Sequence, residues 1–317
     1  MNPARRIAVL DDYLGCARTL AEWRDVEAIA EVEVFAAHVD PADAAGILKD
    51  FDILVSTRER MAFPAEMLWS LPRLKLIVVA GQAHSLIDLD AARERGIEVR
   101  TLSGIGPSPF ATVEIAWGLI LGLARNLHQE AAGMRDGYWQ RSAGRSLAGQ
   151  VLGIIGLGRL GSRMPAIARA FGMDVIAWSP GLTAERAETA GVRVASKAEL
   201  LASADWVSLH LRLSNRTRHI IGTTDFARMK DTAYLINTAR GGLVDTDALV
   251  SALRDGRIAG AGLDCFEEEP LAPGHILRRL PNVLSTPHLG FAVQEELAWL
   301  YRGAAREVRG WLVGSSL

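Results

Sequence analysis

Three side chains of different chemical character stand just past apolar, strand-like runs in the last third of this chain. Arg240 lies in Asn237-Thr238-Ala239-Arg240-Gly241-Gly242, Glu269 closes Asp264-Cys265-Phe266-Glu267-Glu268 before Pro270, and His288 sits in Thr286-Pro287-His288-Leu289-Gly290. Strand ends are where open parallel α/β sheets bind ligands. A cation, a carboxylate and an imidazole suit the reversible reduction of a 2-oxo acid. Arg holds a carboxylate and a carbonyl oxygen through its forked donors. His protonates the carbonyl oxygen, and a neighbouring Glu favours the charged imidazole. Each residue alone has a plainer reading: a core histidine, a strand cap, a solvated acidic run with Glu267 and Glu268. Three in register point to catalysis.

Such a reduction needs a hydride donor, and the middle of the chain offers a place for one. Val151 to Ile155 is an apolar strand that runs into Gly156-Leu157-Gly158-Arg159-Leu160-Gly161 and then a helix pattern over Met164 to Phe171. Strand, Gly-x-Gly-x-x-Gly and helix in this order form the dinucleotide fingerprint. Its glycines admit a pyrophosphate, and the helix N-terminus presents free N–H groups to it. Arg159 is expected to face the pyrophosphate. Pro165 is expected to interrupt the helix, at a cost of ~3 kcal/mol in a helix interior.

The second strand, Asp174 to Trp178, ends at Ser179 and not at the Asp or Glu that bonds a ribose 2′-hydroxyl. A 2′-phosphate is then not repelled. Ser179 and Thr183 offer donors, and the next cation is Arg186. The cofactor reading leans to NADP(H), with NAD(H) close behind.

The elements that must position these groups alternate throughout. Strand patterns at Ile7 to Leu10, Val32 to Phe35, Ile53 to Ser56, Leu76 to Val79 and Glu98 to Arg100 are separated by helix patterns. Those helices fall at Leu20 to Ile29, Pro41 to Leu48, Ala65 to Ser70 and Leu89 to Arg95. The second half repeats the rhythm with strands at Leu152 to Ile155, Asp174 to Trp178, Trp206 to Leu209, Tyr234 to Asn237, Gly260 to Leu263 and Val283 to Ser285. Alternation of this kind builds a parallel sheet covered on both faces. The Gly/Pro/Ser cluster at Ser103 to Pro109 marks a first crossing between domains, and a last helix, Gln294 to Leu312, carries the chain back. The expected organisation is α/β: two doubly wound domains, a Rossmann NAD(P)-binding domain (108–287) inserted in a discontinuous flavodoxin-like substrate domain (1–107 and 288–317).

Composition narrows the partners. With 317 residues, 49% hydrophobic, there is material for two cores, and a net charge of -2 gives no electrostatic case for nucleic acid or an anionic membrane. The apolar run Ile115 to Leu123 is bounded by Glu114 and Arg125, short of the ~20 residues of a bilayer span. Cys16 and Cys265 stand alone, so neither a disulfide framework nor a metal site is indicated. A cytoplasmic location is expected.

Arg240, Glu269, His288 and the mid-chain fingerprint together resemble the D-isomer-specific 2-hydroxyacid dehydrogenase family, which includes phosphoglycerate dehydrogenase and glyoxylate/hydroxypyruvate reductases. The resemblance covers nearly the whole chain. It implies catalytic roles for Arg240, Glu269 and His288, and cofactor contacts at Gly156, Gly158, Arg159, Leu160, Gly161, Ser179, His210, Leu211, Arg212, Thr238 and Asp264, the last toward nicotinamide. It implies capture of the substrate carboxylate by Arg240 and by the backbone at Ala80, Gly81 and Gln82. That loop reads Gly81-Gln82-Ala83-His84-Ser85-Leu86-Ile87-Asp88, and only the first Gly and the closing Ile-Asp agree with the family pattern. The resemblance further implies a small 2-oxo or 2-hydroxy acid substrate, no metal, and a homodimer to which Thr112 to Gly149 contributes. A dinucleotide-sensing corepressor and a phosphite- or formate-type dehydrogenase share the scaffold; formate-oxidising relatives pair the histidine with Gln, so Glu269 counts against formate.

Overall fold

The computed structural model describes residues 5–81 and 86–314. The chain divides into two compact units, Met1–Ser108 with Val293–Leu317, and Pro109–Ala292.

In the first unit, β1 (Arg5–Val9), β2 (Ala30–Val34), β3 (Ile53–Thr57), β4 (Leu76–Ala80) and β5 (Glu98–Thr101) form one parallel sheet in the order β2-β1-β3-β4-β5. This is the flavodoxin-like order. All five residues of β3 and of β4 are buried, as central strands covered on both faces should be. The C-terminal helix Gln294–Gly314 lies on β3 and β4 with Leu297, Leu300, Tyr301, Ala304 and Val308 buried.

One expected helix is not continuous. In place of Leu20 to Ile29 the chain forms two single turns, Ala17–Leu20 and Arg24–Glu27, with Ala21 extended between them. The break drops Trp23 into the core at 3% exposure, where its indole N–H donates to the Ala17 carbonyl at 3.1 Å. Burying that indole offsets the helical hydrogen bonds forgone.

In the second unit, β6 (Val151–Ile155), β7 (Asp174–Trp178), β8 (Arg193–Val194), β9 (Trp206–Leu209), β10 (Tyr234–Asn237), β11 (Gly260–Leu263) and β12 (Val283–Ser285) are all parallel. Their order, β12-β11-β10-β9-β6-β7-β8, reverses direction beside β6. That is the doubly wound Rossmann pattern, and β6 and β9 flank the switch point where ligands bind. Alternate residues feed two apolar layers. Leu152 and Ile154 pack with helix Ala111–Ala124 and Met164, while Ile155, Val207, Leu235 and Leu263 pack with Leu200, Phe226 and Leu249. Among the described residues, no helix is long and apolar enough to cross a membrane.

Pro165 does not interrupt a helix. The glycine turn leads into a 3₁₀ turn, Gly161–Arg163, and the α-helix begins only at Met164, which puts Pro165 in its first turn. The Gly161 carbonyl that an interior residue 165 would have bonded accepts from the Met164 N–H. The missing proline N–H therefore leaves nothing unpaired, and the expected cost does not arise.

The chain leaves the second unit after Ala292, five residues beyond the expected crossing at Pro287. Bonds from the 286–290 turn to buried Asp264 tie this segment to β11.

Candidate active site

Each glycine of the fingerprint does a different job. Gly156 has φ +105°, and a Cβ there would lie 2.7 Å from the His210 carbonyl carbon, so the turn packs directly on the end of β9. A Cβ on Gly161 would lie 2.0 Å from the Gly156 carbonyl oxygen, which closes the turn onto its helix. A Cβ on Gly158 would meet nothing within 4 Å. Open space at the middle glycine, between two that are tightly packed, is what close approach of a pyrophosphate requires. Arg159 is exposed beside it and Leu160 is half-buried against the apolar layer.

Past β9, His210 is held under this turn, its Nε2 2.9 Å from the Ser208 hydroxyl. Burial pushes its imidazole down to about 4, which keeps the ring neutral near pH 7. Leu211 packs against the apolar core, and Arg212 is exposed, its carbonyl accepting from the Thr217 hydroxyl at 2.7 Å. Thr238, past β10, is 5% exposed, and its hydroxyl is buried without a hydrogen-bond partner among the described residues. Buried polar atoms are seldom left unsatisfied, and those that are call for a ligand or an ordered water.

Ser179 is half-buried past β7, and its carbonyl accepts from the Leu182 N–H at 3.0 Å. Thr183 caps the following helix Ala184–Thr189. From that helix Arg186 reaches back so that its guanidinium donates to the Leu157 carbonyl, inside the glycine turn, at 2.9 Å. Spacing along the chain did not reveal this; six residues lie between Ser179 and Arg186, and only the fold brings the cation back to the turn.

Arg240 follows β10 on a turn built by Asn237, whose side-chain oxygen accepts from the Ala239 N–H at 3.1 Å and whose amide donates to the Arg240 carbonyl at 2.9 Å. One Arg240 guanidinium nitrogen donates to the Ala239 carbonyl at 2.7 Å. Gly241 then presses on the loop past β11: a Cβ there would fall 1.9 Å from the Phe266 carbonyl carbon. Neither Asn237 nor Gly241 stood out in the sequence. A polar residue closing a buried strand before a Gly-Gly pair is the available signal.

Glu269 bridges that loop to the imidazole. Its Oε1 accepts from the Phe266 N–H at 2.9 Å and its Oε2 lies 2.6 Å from His288 Nδ1. About a quarter of each side chain is exposed, 26% for His288 and 24% for Glu269, so the pair reaches solvent without being bathed in it. A carboxylate oxygen at this distance favours the ring tautomer with hydrogen on Nδ1. Phe291 supports the ring edge-on at 5.8 Å.

His288 has φ +55°, a left-handed conformation uncommon for a residue with a Cβ. Asp264 holds it there. This carboxylate is fully buried and accepts from the Thr286 hydroxyl at 2.6 Å, the Leu289 N–H at 2.7 Å and the Gly290 N–H at 2.8 Å. Burial raises its carboxyl above the usual range despite these three donors. Asp264, expected to face nicotinamide, makes these three bonds to the turn that carries His288.

In the first unit, Ala80 closes β4 and Gly81 follows it, both buried; Gln82 lies outside the described residues. The Ala80 carbonyl accepts from the Arg58 N–H at 3.2 Å. Among the described residues no group of three or more His, Cys, Asp or Glu is placed to hold a metal ion.

A Rossmann sheet with an open glycine turn, next in sequence to a flavodoxin-like unit, is an architecture of dinucleotide-binding proteins. Residues 117–290 match the family model "D-isomer specific 2-hydroxyacid dehydrogenase, NAD binding domain", and the chain belongs to that family. It is 40% identical over 273 residues to D-3-phosphoglycerate dehydrogenase of Methanocaldococcus jannaschii, covering 85% of this chain and 51% of that one. The chain thus spans about half the length of that relative. It is 41% identical over 239 residues to glyoxylate reductase of Aeropyrum pernix, covering 73% of this chain and 71% of that one. A solved structure of phosphoglycerate oxidoreductase from Vibrio cholerae O395 superposes with a TM-score of 0.91 at 35% identity, covering 99% of this chain and all of that one.

Proposed function

We propose that this protein is an NAD(P)-dependent reductase of small 2-oxo acids, acting in reverse as a dehydrogenase of D-2-hydroxy acids. The observation that carries the reading is the 2.6 Å contact between Glu269 and His288 Nδ1, in the unit that also holds the open glycine turn. When bound, the dinucleotide supplies or accepts a hydride at nicotinamide C4. Gly156, Gly158, Arg159, Leu160 and Gly161 would cradle its pyrophosphate, and the partnerless Thr238 hydroxyl would bond it. Ser179, Leu211 and Arg212 would line its adenosine end, with His210 supporting the turn from below. Asp264, which clamps the turn carrying His288, would lie toward the nicotinamide end.

Arg240 binds the substrate carboxylate and polarises the C2 carbonyl, and the backbone at Ala80, Gly81 and Gln82 is the proposed second carboxylate contact, for which the Gly81 N–H must exchange the Val79 carbonyl it bonds at 2.8 Å. Glu269 holds the imidazole by Nδ1, so that Nε2 delivers a proton to the carbonyl oxygen as C2 gains the hydride. In the reverse direction Nε2 takes the hydroxyl proton. Residues 1–107 and 288–317 then serve as the substrate domain and 108–287 as the coenzyme domain, the turn carrying His288 packing with the latter. A homodimer formed through Thr112 to Gly149 is supported by four large exposed side chains there: Leu127 (54%), Met134 (56%), Tyr138 (57%) and Trp139 (78%). A cytoplasmic enzyme fits the two unpaired cysteines.

The test is oxidation of NADPH and NADH with glyoxylate, hydroxypyruvate, pyruvate and phenylpyruvate. Turnover of at least one acid supports the reading. Tight dinucleotide binding with no turnover would replace it with a sensor.

Preference for NADP(H) rests on Arg186, whose guanidinium lies over the glycine turn on the side of Ser179 and Thr183. A 2′-phosphate there meets a cation and hydroxyl donors and no carboxylate. Replacing Arg186 by Gln is expected to weaken NADPH binding about tenfold, roughly one charge-assisted hydrogen bond, and to change NADH binding less than threefold. Titration of reduced-nicotinamide fluorescence checks this without turnover. An equal loss for both dinucleotides would mean that Arg186 only holds the turn.

A further inference from the structure

The acidic run before Pro270 holds a carboxylate that the proposed reaction does not use. Glu267 stands two residues before Glu269 in the loop past β11, and only 29% of its side chain is exposed. Both of its oxygens are engaged. Oε1 lies 2.7 Å from His219 Nε2 and 3.8 Å from an Arg218 guanidinium nitrogen, and Oε2 accepts from the Thr246 hydroxyl at 2.6 Å. Burial alone would raise this carboxyl, but the bonds from His219 and Thr246 hold it below the usual carboxylate range.

These partners come from outside the loop that carries Glu267. His219 belongs to the loop past β9, where its φ of +51° is a left-handed conformation that His enters more readily than most residues. Its N–H donates to the Gly242 carbonyl at 2.9 Å and the Ile221 N–H donates to the Leu243 carbonyl at 3.1 Å, so the loops past β9 and β10 are joined by backbone. Thr246 opens helix Thr246–Arg254, which follows the loop past β10. Glu267 adds the loop past β11 to this frame where Gly241 presses on it: a Cβ on Gly241 would lie 2.3 Å from the Glu267 backbone nitrogen. The same short turn carries the partner of the imidazole. The Phe266 N–H donates to Glu269 Oε1, and Glu269 Oε2 lies 2.6 Å from His288 Nδ1. Within four residues, one carboxylate is fixed to the neighbouring loops and the other reaches the histidine.

We propose that Glu267 is a positioning residue: braced by His219 and Thr246, it holds the Phe266–Glu269 turn where Glu269 Oε2 orients His288. The inference rests on the reductase reading for its kinetic consequences. A solvated glutamate makes no use of short bonds from two separate segments, and partly exposed ion pairs add little to stability. What the brace governs is the placement of the neighbouring carboxylate.

The test uses three variants. Glu267→Ala removes both bonds. Glu267→Gln loses the charge, yet its amide can still accept from His219 and donate to the Thr246 hydroxyl. His219→Asn suits the left-handed backbone with a side chain too short to reach Glu267. The first readout needs no turnover: the low-field proton NMR resonance of the His288 Nδ1–H, identified by its absence from His288→Gln. It should persist in Glu267→Gln and be lost or displaced in Glu267→Ala and His219→Asn. The second readout is 2-oxo acid reduction. Misplacing Glu269 should lower kcat about tenfold in Glu267→Ala and His219→Asn, with dinucleotide binding changed less than threefold, while Glu267→Gln stays within threefold of wild type. On a Glu269→Gln background, Glu267→Ala should cost less than twofold more, since a residue acting through Glu269 then has nothing left to position. Thermal unfolding screens each variant, and should Glu267→Ala not fold, His219→Asn carries the test. An unchanged resonance in the folded variants, an equal loss of kcat in both backgrounds, or a Glu267→Gln defect as large as that of Glu267→Ala overturns the inference and leaves the reductase reading standing. No turnover of any acid by the wild type overturns the reductase reading, and the resonance still decides whether Glu267 positions Glu269.

Discussion

Replacing His288 by Gln is expected to lower kcat for 2-oxo acid reduction by about 10²–10⁴-fold, the contribution of a positioned general acid. Dinucleotide binding, measured by fluorescence, should change less than threefold. Gln retains a polar side chain of similar reach but cannot deliver a proton at Nε2. Because Glu269 Oε2 sits 2.6 Å from Nδ1, Glu269→Gln should produce the same kind of defect at smaller size, through loss of the fixed tautomer. Combining the two should cost little more than His288→Gln alone, since residues that act as a unit are not additive. If the His288 variant kept wild-type kcat, proton transfer would belong to another group and the proposed mechanism would fall. If it lost dinucleotide binding as well, the turn at φ +55° would have moved, and circular dichroism with thermal unfolding would show it.

Asp264→Ala carries the largest expected effect on stability. Removing a fully buried carboxylate leaves the Thr286 hydroxyl and the N–H groups of Leu289 and Gly290 without their acceptor. At about 1–3 kcal/mol for each unsatisfied group, a loss of roughly 3 kcal/mol or more follows. For a unit of this size that corresponds to a Tm lower by about 5–10 °C. Asp264→Asn is the sharper probe. Burial raises the Asp264 carboxyl above its ordinary 3.8. From 3.8 up to that higher native value the folded protein therefore binds more protons than the unfolded chain, and this group makes stability fall as pH rises through that window. The Asn variant, although less stable, should lack that component, seen as a flatter stability curve in urea titrations at acidic pH. A stability curve identical in shape to wild type would show that Asp264 does not titrate with folding.

Much of the architecture was legible because the second unit announces itself through period and punctuation. Each of its expected strands is present, and Asp174–Trp178, Tyr234–Asn237 and Gly260–Leu263 coincide with their expected limits. Arg240, Glu269 and His288 could be picked out because each stands at a strand end. What pattern could not reach were contacts made by backbone. The approach of Gly241 to Phe266 depends on two loops that are neighbours only in the sheet, and the reach of Arg186 to Leu157 depends on how a short helix leans. Local rules misled at Pro165, where a helix pattern beginning in the glycine turn is in fact a 3₁₀ turn followed by an α-helix. They misled again over Leu20 to Ile29, where burial of Trp23 outweighed helical continuity.

The neutral His210 beneath the glycine turn has a practical consequence for kinetics. With its protonation displaced to about 4, the phosphate-facing end keeps one charge state across the range in which dehydrogenases are assayed. Any inflection of kcat/KM between pH 5.5 and 9 can then be read without a contribution from His210.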